Sequence, residues 1–281
     1  MLITSKTFKR FISVSLALGI LFTGVTPLGS APIEVSANSA QKAAVVTTSH
    51  IKPNAQNGIV AVSIPKLKNG YSAYVVVESG SKDYSFKLDK AQNIPLPFGN
   101  AKYTITLYQG KGSHFIQMEK KTFSASFSTL TYAKQKTILS PGTQDSQVKA
   151  LLEKQFKDWK KWSAETKVKN VHAYLTKTYR YDDALARQAG DWYLPKASRL
   201  TQNKKGICYD FASLNASLLR EMGVPTRVVM GYTKNVDEYH SWNEVYIGNT
   251  WKVVDTTFDA GLKKNSPYKP TKDYSKVYYR F

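Results

Sequence analysis

Apolar positions along this chain follow two different rhythms. From Gly58 to about Leu130 they come in short runs: Ile59–Ile64, Tyr71–Glu78, Tyr84–Leu88, Tyr103–Tyr108 and Phe115–Phe127. Tyr103, Ile105 and Leu107 alternate with polar residues, so one face is buried, and Lys-Asn-Gly, Ser-Gly-Ser-Lys, Pro-Phe-Gly-Asn and Gln-Gly-Lys-Gly punctuate the runs. Turn signals at that spacing predict a small antiparallel β-sandwich. Pro141-Gly142 marks a linker, and beyond it the period changes. Val148, Leu151, Leu152, Phe156, Trp159 and Trp162 recur at helical spacing, as do Val168, Val171, Leu175 and Tyr179. Another helix opens at Cys208, carries Phe211, Ala212, Asn215, Leu218, Leu219 and Met222, and stops at Gly223 with Pro225 beyond. Three strands follow: Thr226–Tyr232, His240–Ile247 and Thr250–Phe258. The pattern as a whole is α+β, a small antiparallel sandwich followed by a core in which the helix of Cys208 packs on an antiparallel sheet.

The elements around Cys208 supply the chemistry. A thiol in the first turn of a helix meets unpaired N–H groups and the positive end of the macrodipole, both of which favour the thiolate. Asp210 opposes this unless its carboxylate points elsewhere, so a cationic partner is wanted, and a histidine suits. Gly248-Asn249 joins the last two strands as a two-residue hairpin, predicted as type II′ with glycine at the first central position. If Ile247 pairs with Thr250, Trp242 faces Asp255 and His240 faces Thr257. Period two then puts His240, Trp242, Asp255 and Thr257 on one face. His240 and Asp255 become diagonal neighbours, close enough for a carboxylate–imidazole hydrogen bond, and a slip of one residue would separate them. A nucleophile at a helix N-terminus, a base on one strand and an orienting acid on the next make the general plan of a thiol acyl-transfer site.

The segments GICYDFA, HSWNEVY and VVDTTFDA resemble the three core blocks of the transglutaminase-like superfamily, thiol enzymes with a papain-like arrangement in the order Cys, His, Asp. The resemblance covers roughly residues 148–281. It implies a transglutaminase-like fold with Cys208 as nucleophile, His240 as general base and Asp255 as orienting acid, and no cofactor. Thr256 stands where the family often has proline, a departure bearing on the exit of the strand. Acyl transfer also needs donors for the developing oxyanion. Gln202, Trp192 and Tyr193, in the approach to the cysteine, are the side-chain candidates, and each could equally cap or pack under a loop. The function implied is an exported thiol enzyme acting on amide or peptide bonds through a cysteine acyl-enzyme, by hydrolysis or by transfer to an amine. The alternative is a non-catalytic wall- or surface-binding protein with the same fold; the presence of all three triad positions favours the enzyme.

Composition adds compartment and partners. Lys6, Lys9 and Arg10 precede the apolar Phe11–Val25 and a small-residue site ending at Ala37, the plan of a secretory signal peptide over residues 1–37. Residues 38–56 then read as a linker, 57–135 as the sandwich and 145–281 as the catalytic part. The full chain carries +20; loss of residues 1–37 removes three cations and Glu34, leaving +18. An exported chain this basic suits anionic wall polymers or membrane surfaces, beside a protein or peptide substrate. Zinc-finger spacing and aromatic-basic RNA motifs are missing from the sequence, so nucleic acid is not expected. One cysteine and four histidines show no metal-ligand spacing. His50 and His114 read as solvated, and His172, beside an apolar stripe, as structural. A lone thiol outside the cell is an oxidation hazard, which argues for a functional reason to keep Cys208.

Overall fold

The structure, a computed structural model, describes residues 49–262 and 266–281. The expected signal peptide and most of the expected linker lie outside the described residues.

The β-rich stretch forms seven strands: β1 Ile51–Asn54, β2 Ile59–Val62, β3 Ser72–Ser79, β4 Lys82–Leu88, β5 Gln92–Pro95, β6 Ala101–Lys111 and β7 His114–Ala125. They pair antiparallel in two sheets, of order β1-β2-β5 and β4-β3-β6-β7. Val60, Ile94, Val75, Val77, Ile105 and Leu107 from the two sheets are buried in one cluster, as a sandwich requires. Two strands were not visible in the pattern. Ile51–Asn54 falls inside the stretch expected to be a linker, yet it pairs with β2. Only Ile51 of its four residues is buried, so no alternation betrays it, and Pro53 is tolerated because the strand lies at an edge. Glu119 anchors it, accepting from the backbone N–H of His50 at 2.8 Å and of Ile51 at 3.3 Å. β5 was hidden by Pro95 and Pro97, which read as a loop.

The remainder runs through α1 Thr129–Tyr132, α2 Ser146–Lys154, α3 Ala164–Thr178, β8 Arg180–Tyr181, α4 Asp183–Gln188, α5 Ala197–Asn203, β9 Lys205–Gly206 and α6 Cys208–Glu221. After these come β10 Thr226–Thr233, β11 Val236–Ile247, β12 Thr250–Val254, α7 Thr256–Leu262, β13 Tyr268–Lys269 and β14 Lys276–Arg280. The helical run expected from Val148 to Trp162 is broken. It leaves the α-helix after Lys154 and finishes as a 3₁₀ turn at Trp159–Lys161. Phe156 still reaches the core, so the apolar spacing was preserved while the backbone changed. Ser163 starts α3 afresh by accepting from the Thr166 N–H at 3.1 Å, as an N-cap does.

The C-terminal sheet has the order β13-β12-β11-β10-β14, all antiparallel. α6 is buried along nearly its whole length, between the sheet, helices α2 and α3, and the sandwich. Phe211, Leu214, Leu218 and Leu219 face the helices, whereas Ile207, Tyr209, Ala212 and Ala216 share a cluster with the sandwich residues and with Val228 and Met230 of β10. The Tyr84 hydroxyl of β4 lies 3.3 Å from that of Tyr209. Ser49–Phe281 accordingly form one compact unit.

Candidate active site

Cys208 is the first residue of α6, following Ile207 as N-cap, and its side chain is partly exposed. Asp210, the acid that seemed to oppose a thiolate, is turned back on the chain. Its Oδ2 accepts from the Ile207 N–H at 3.0 Å and from the Tyr193 hydroxyl at 2.5 Å, and Arg199 Nη1 lies 3.4 Å from Oδ1. The Ile207 contact is the acidic half of a capping box. Burial pushes the Asp210 carboxyl above its ordinary range, and Tyr193, the Ile207 N–H and Arg199 pull back without cancelling it. The carboxyl nearest the thiol in sequence is therefore turned toward the Ile207 N–H, Tyr193 and Arg199.

The hairpin has the expected register, with Ile247 opposite Thr250 and Asn243 opposite Val254. Its turn is not type II′. Gly248 and Asn249 both have positive φ, 59° and 61°, which defines type I′ and suits a Gly-Asn pair equally well. The strand is also shorter than expected. β12 ends at Val254, and Thr256 begins α7, so Thr257 is not a cross-strand partner of His240. Asp255 serves as the N-cap of that helix, its Oδ1 accepting from the Phe258 N–H at 3.0 Å. Thr256 thus occupies the first helical position, where proline is favoured; the departure from the family pattern falls at a helix entrance.

His240 is 4 % exposed and Asp255 fully buried. His240 Nε2 and Asp255 Oδ2 are 2.8 Å apart, and the Tyr274 hydroxyl donates to the same oxygen at 2.9 Å. The Cys208 side chain lies close enough to the His240 ring to add to the raising of its pKa. Burial alone would lower the pKa of the imidazolium, but the Asp255 charge and hydrogen bond, joined by Cys208, push it from 6.5 up to about 10. Burial would raise that of Asp255, yet His240, the Phe258 N–H and Tyr274 hold it below the ordinary range. Trp242 covers the ring, with centroids 6.2 Å apart and planes at 22°, and Tyr274 meets Trp242 edge-on at 5.2 Å. The arrangement excludes water from the His–Asp pair while the thiol keeps access to solvent, which strengthens the pair's electrostatics.

A second layer fixes helix against strand. Asn215 Nδ2 donates to Asn243 Oδ1 at 2.8 Å, and Asn243 Nδ2 donates to the carbonyls of Ala212 at 2.9 Å and Arg227 at 3.0 Å. Both amides are fully buried. Asn215 is seven residues beyond Cys208 and Asn243 three beyond His240, each about 10 Å along its element. The tie therefore sets the separation of thiol and imidazole.

The three oxyanion candidates differ in their surroundings. Gln202 is exposed on α5. The Trp192 ring packs against Tyr74 of the sandwich at 4.6 Å, and the Tyr193 hydroxyl is engaged by Asp210 and Arg199. Tyr181, which the sequence did not single out, lies close enough to Cys208 for the thiol's charge to add to burial in raising the tyrosine's pKa. It is held there because β8 pairs in parallel with β9, placing Tyr181 opposite Gly206. Tyr274 was missed as well. Neither carries a local signal, since a parallel two-residue bridge and a tyrosine nineteen residues beyond Asp255 are products of tertiary structure. Among the described residues, no group of three or more His, Cys, Asp or Glu side chains is arranged to hold a metal ion.

A model described as the transglutaminase-like superfamily matches residues 152–256. This part of the chain thus carries a transglutaminase-like domain match. The human (Homo sapiens) kyphoscoliosis peptidase is 28 % identical over 123 residues, covering 40 % of this chain and 18 % of the human protein. The chain thus spans less than a fifth of that relative's length. Among solved structures, a TGase is 26 % identical, with 41 % of this chain and 32 % of the other covered and a TM-score of 0.33. A putative cysteine protease from Cytophaga hutchinsonii is 12 % identical, with 74 % and 75 % covered and a TM-score of 0.41.

Proposed function

We propose that this chain is a thiol enzyme that opens amide bonds of a protein or peptide through an acyl-enzyme on Cys208. The observation that carries the reading is the run of contacts from Tyr274 through Asp255 and His240 to the thiol at the head of α6. His240, oriented by Asp255 and set beside the thiol, takes the thiol proton as general base. The thiolate sulfur attacks the amide carbonyl and forms a C–S bond. The C–N bond then breaks as His240 gives its proton to the leaving nitrogen. Water or a second amine, losing its proton to His240, adds to the thioester and releases Cys208. The Cys208 N–H, unpaired at the helix start, and the Tyr181 hydroxyl beside the thiol are the donors we assign to the developing oxyanion.

The test is to incubate the protein with a peptide mixture, with and without a primary alkylamine, and to follow masses against a Cys208→Ala control. Cleaved or deamidated peptides mean water is the acceptor, and amine adducts mean transfer. Mixtures left as unchanged by the wild type as by Cys208→Ala would overturn the reading. We further propose export, with a mature N-terminus at Asn38 readable by intact mass, and attraction of the mature chain, +18 after loss of residues 1–37, to anionic wall or membrane surfaces. That attraction should be lost as salt rises over a few tenths molar; equal retention at low and high salt would contradict it.

A further inference from the structure

A second buried histidine–aspartate pair lies next to the first. His172 of α3 and Asp259 of α7 are 1 % and 0 % exposed, with Nε2 and Oδ2 2.7 Å apart. The other oxygen, Asp259 Oδ1, is 2.5 Å from Lys269 Nζ on β13. That approach is an ion contact and not an aligned hydrogen bond, since Asp259 Oδ1 has no hydrogen-bond partner while Lys269 donates to the Ser266 carbonyl at 2.8 Å. The cluster is closed to solvent and touches no thiol, so it is not a second reaction centre. What it holds is α7, which otherwise packs on α6 and β8. The helix is seven residues long, and its buried positions are Thr256, Thr257, Asp259 and Ala260. Ala260 alone among them is apolar, and Leu262 is 49 % exposed. A helix this short is marginal without tertiary anchoring, and an alanine provides little of it. Yet the N-cap of α7 is Asp255, and the Asp259 N–H donates back to the Asp255 carbonyl at 3.2 Å.

Resting on the thiol-enzyme reading, we propose that His172, Asp259 and Lys269 are positioning residues: a charged clamp that fixes α7 so that the carboxylate at its N-cap is aimed at His240. The clamp joins three separate elements, α3, α7 and β13, one turn of helix beyond the reacting pair. Removing its donors frees the first turn of α7, lengthens the Asp255–His240 contact and lowers the basicity of the His240 ring. Each unit of lost basicity is about a factor of ten in the equilibrium constant between the thiolate–imidazolium pair and the neutral pair.

The experiment compares wild type, His172→Leu, His172→Gln, Lys269→Met and, as a reference, Asp255→Asn. Two readouts are taken: the rate of Cys208 alkylation by iodoacetamide at about pH 6, and the titration of the His240 ring by nitrogen-15 NMR, with circular dichroism and melting as controls of folding. His172→Leu should slow alkylation about tenfold or more, toward the Asp255→Asn rate, and move the His240 titration down. His172→Gln, which places an N–H donor at the position of Nε2, should restore most of both. Lys269→Met should show a smaller shift in the same direction, and carries the test with His172→Gln if His172→Leu does not fold. Folded variants that lose melting temperature while keeping the wild-type alkylation rate and His240 titration would overturn the clamp. Ordinary slow alkylation of the wild type would instead overturn the thiol-enzyme reading, and the His240 titration would still decide the clamp.

Discussion

At the scale of single residues, the site is decided by where charges are kept. Asp255 receives three donors, His240, Tyr274 and the Phe258 N–H, so replacing it by Asn removes the charge while keeping the volume. Asp255→Asn should reduce turnover by about 10²–10⁴, as orienting carboxylates do. The double change His240→Ala/Asp255→Asn should be little worse than His240→Ala alone, because the two act as one unit; full additivity would limit Asp255 to supporting the hairpin. The pair should also show in stability. Burial lowers the His240 pKa, but Asp255 raises it from 6.5 to about 10 in the folded chain, so the native state binds this proton more tightly than the unfolded one. The contribution is therefore whole below about pH 6.5, fades as pH rises and is gone above about 10. Asp255, held low, adds stability that is lost as pH falls through its depressed folded value. The wild-type advantage over Asp255→Asn in denaturant midpoint should shrink steadily from about pH 6 to about pH 10, and a constant advantage would contradict the assignment. The pairing of His240 with Asp255 was legible in the sequence because each stands in a block with its own spacing and the hairpin register joins them. Tyr181 and Tyr274 were not, since their roles arise from chain segments that meet only after folding.

At the scale of elements, register was legible and length was not. The Gly248-Asn249 turn fixes Ile247 opposite Thr250, and everything on the β11 face follows from it whether the turn is I′ or II′. The end of β12 was hidden because Thr256, Thr257 and Phe258 are β-branched and aromatic, a composition that reads as strand. Asp255 as an N-cap overrides it, a choice made by Phe258 N–H and His240 together. The Asn215–Asn243 tie was also invisible, since an asparagine inside an apolar helical stripe reads as an exception to be ignored. Asn243→Leu leaves the Asn215 side-chain N–H buried without its acceptor and takes a donor from the Ala212 and Arg227 carbonyls. It should cost about 2–4 kcal/mol, with thiol reactivity falling as the helix moves relative to the strand. Loss of stability with reactivity unchanged would reduce the tie to packing. Gly231 of β10 is a second constraint at this scale: a Cβ there would collide with the Lys276 carbonyl and press on Trp242, whose ring covers His240.

At the scale of the molecule, the sandwich and the α6-bearing core share one apolar cluster, and residues of the thiol helix itself, Tyr209 above all, are packed on sandwich strands. This could not be read from a chain in which Pro141-Gly142 looks like a linker, because shared burial is not a property of either pattern alone. Unfolding in urea should accordingly give coincident transitions for near-ultraviolet and far-ultraviolet dichroism; two separated transitions would show that the sandwich is stable apart from the core. The central claim, that Cys208 reacts as half of an ion pair with His240, is tested most directly on the intact protein by its rate of alkylation with iodoacetamide as a function of pH. The wild type should react fast on a plateau that reaches well below the ordinary thiol pKa of about 8.5, and His240→Ala should lose the plateau and follow the ordinary curve. A wild-type profile that rises only near about pH 8.5 and is unchanged in His240→Ala would contradict the account.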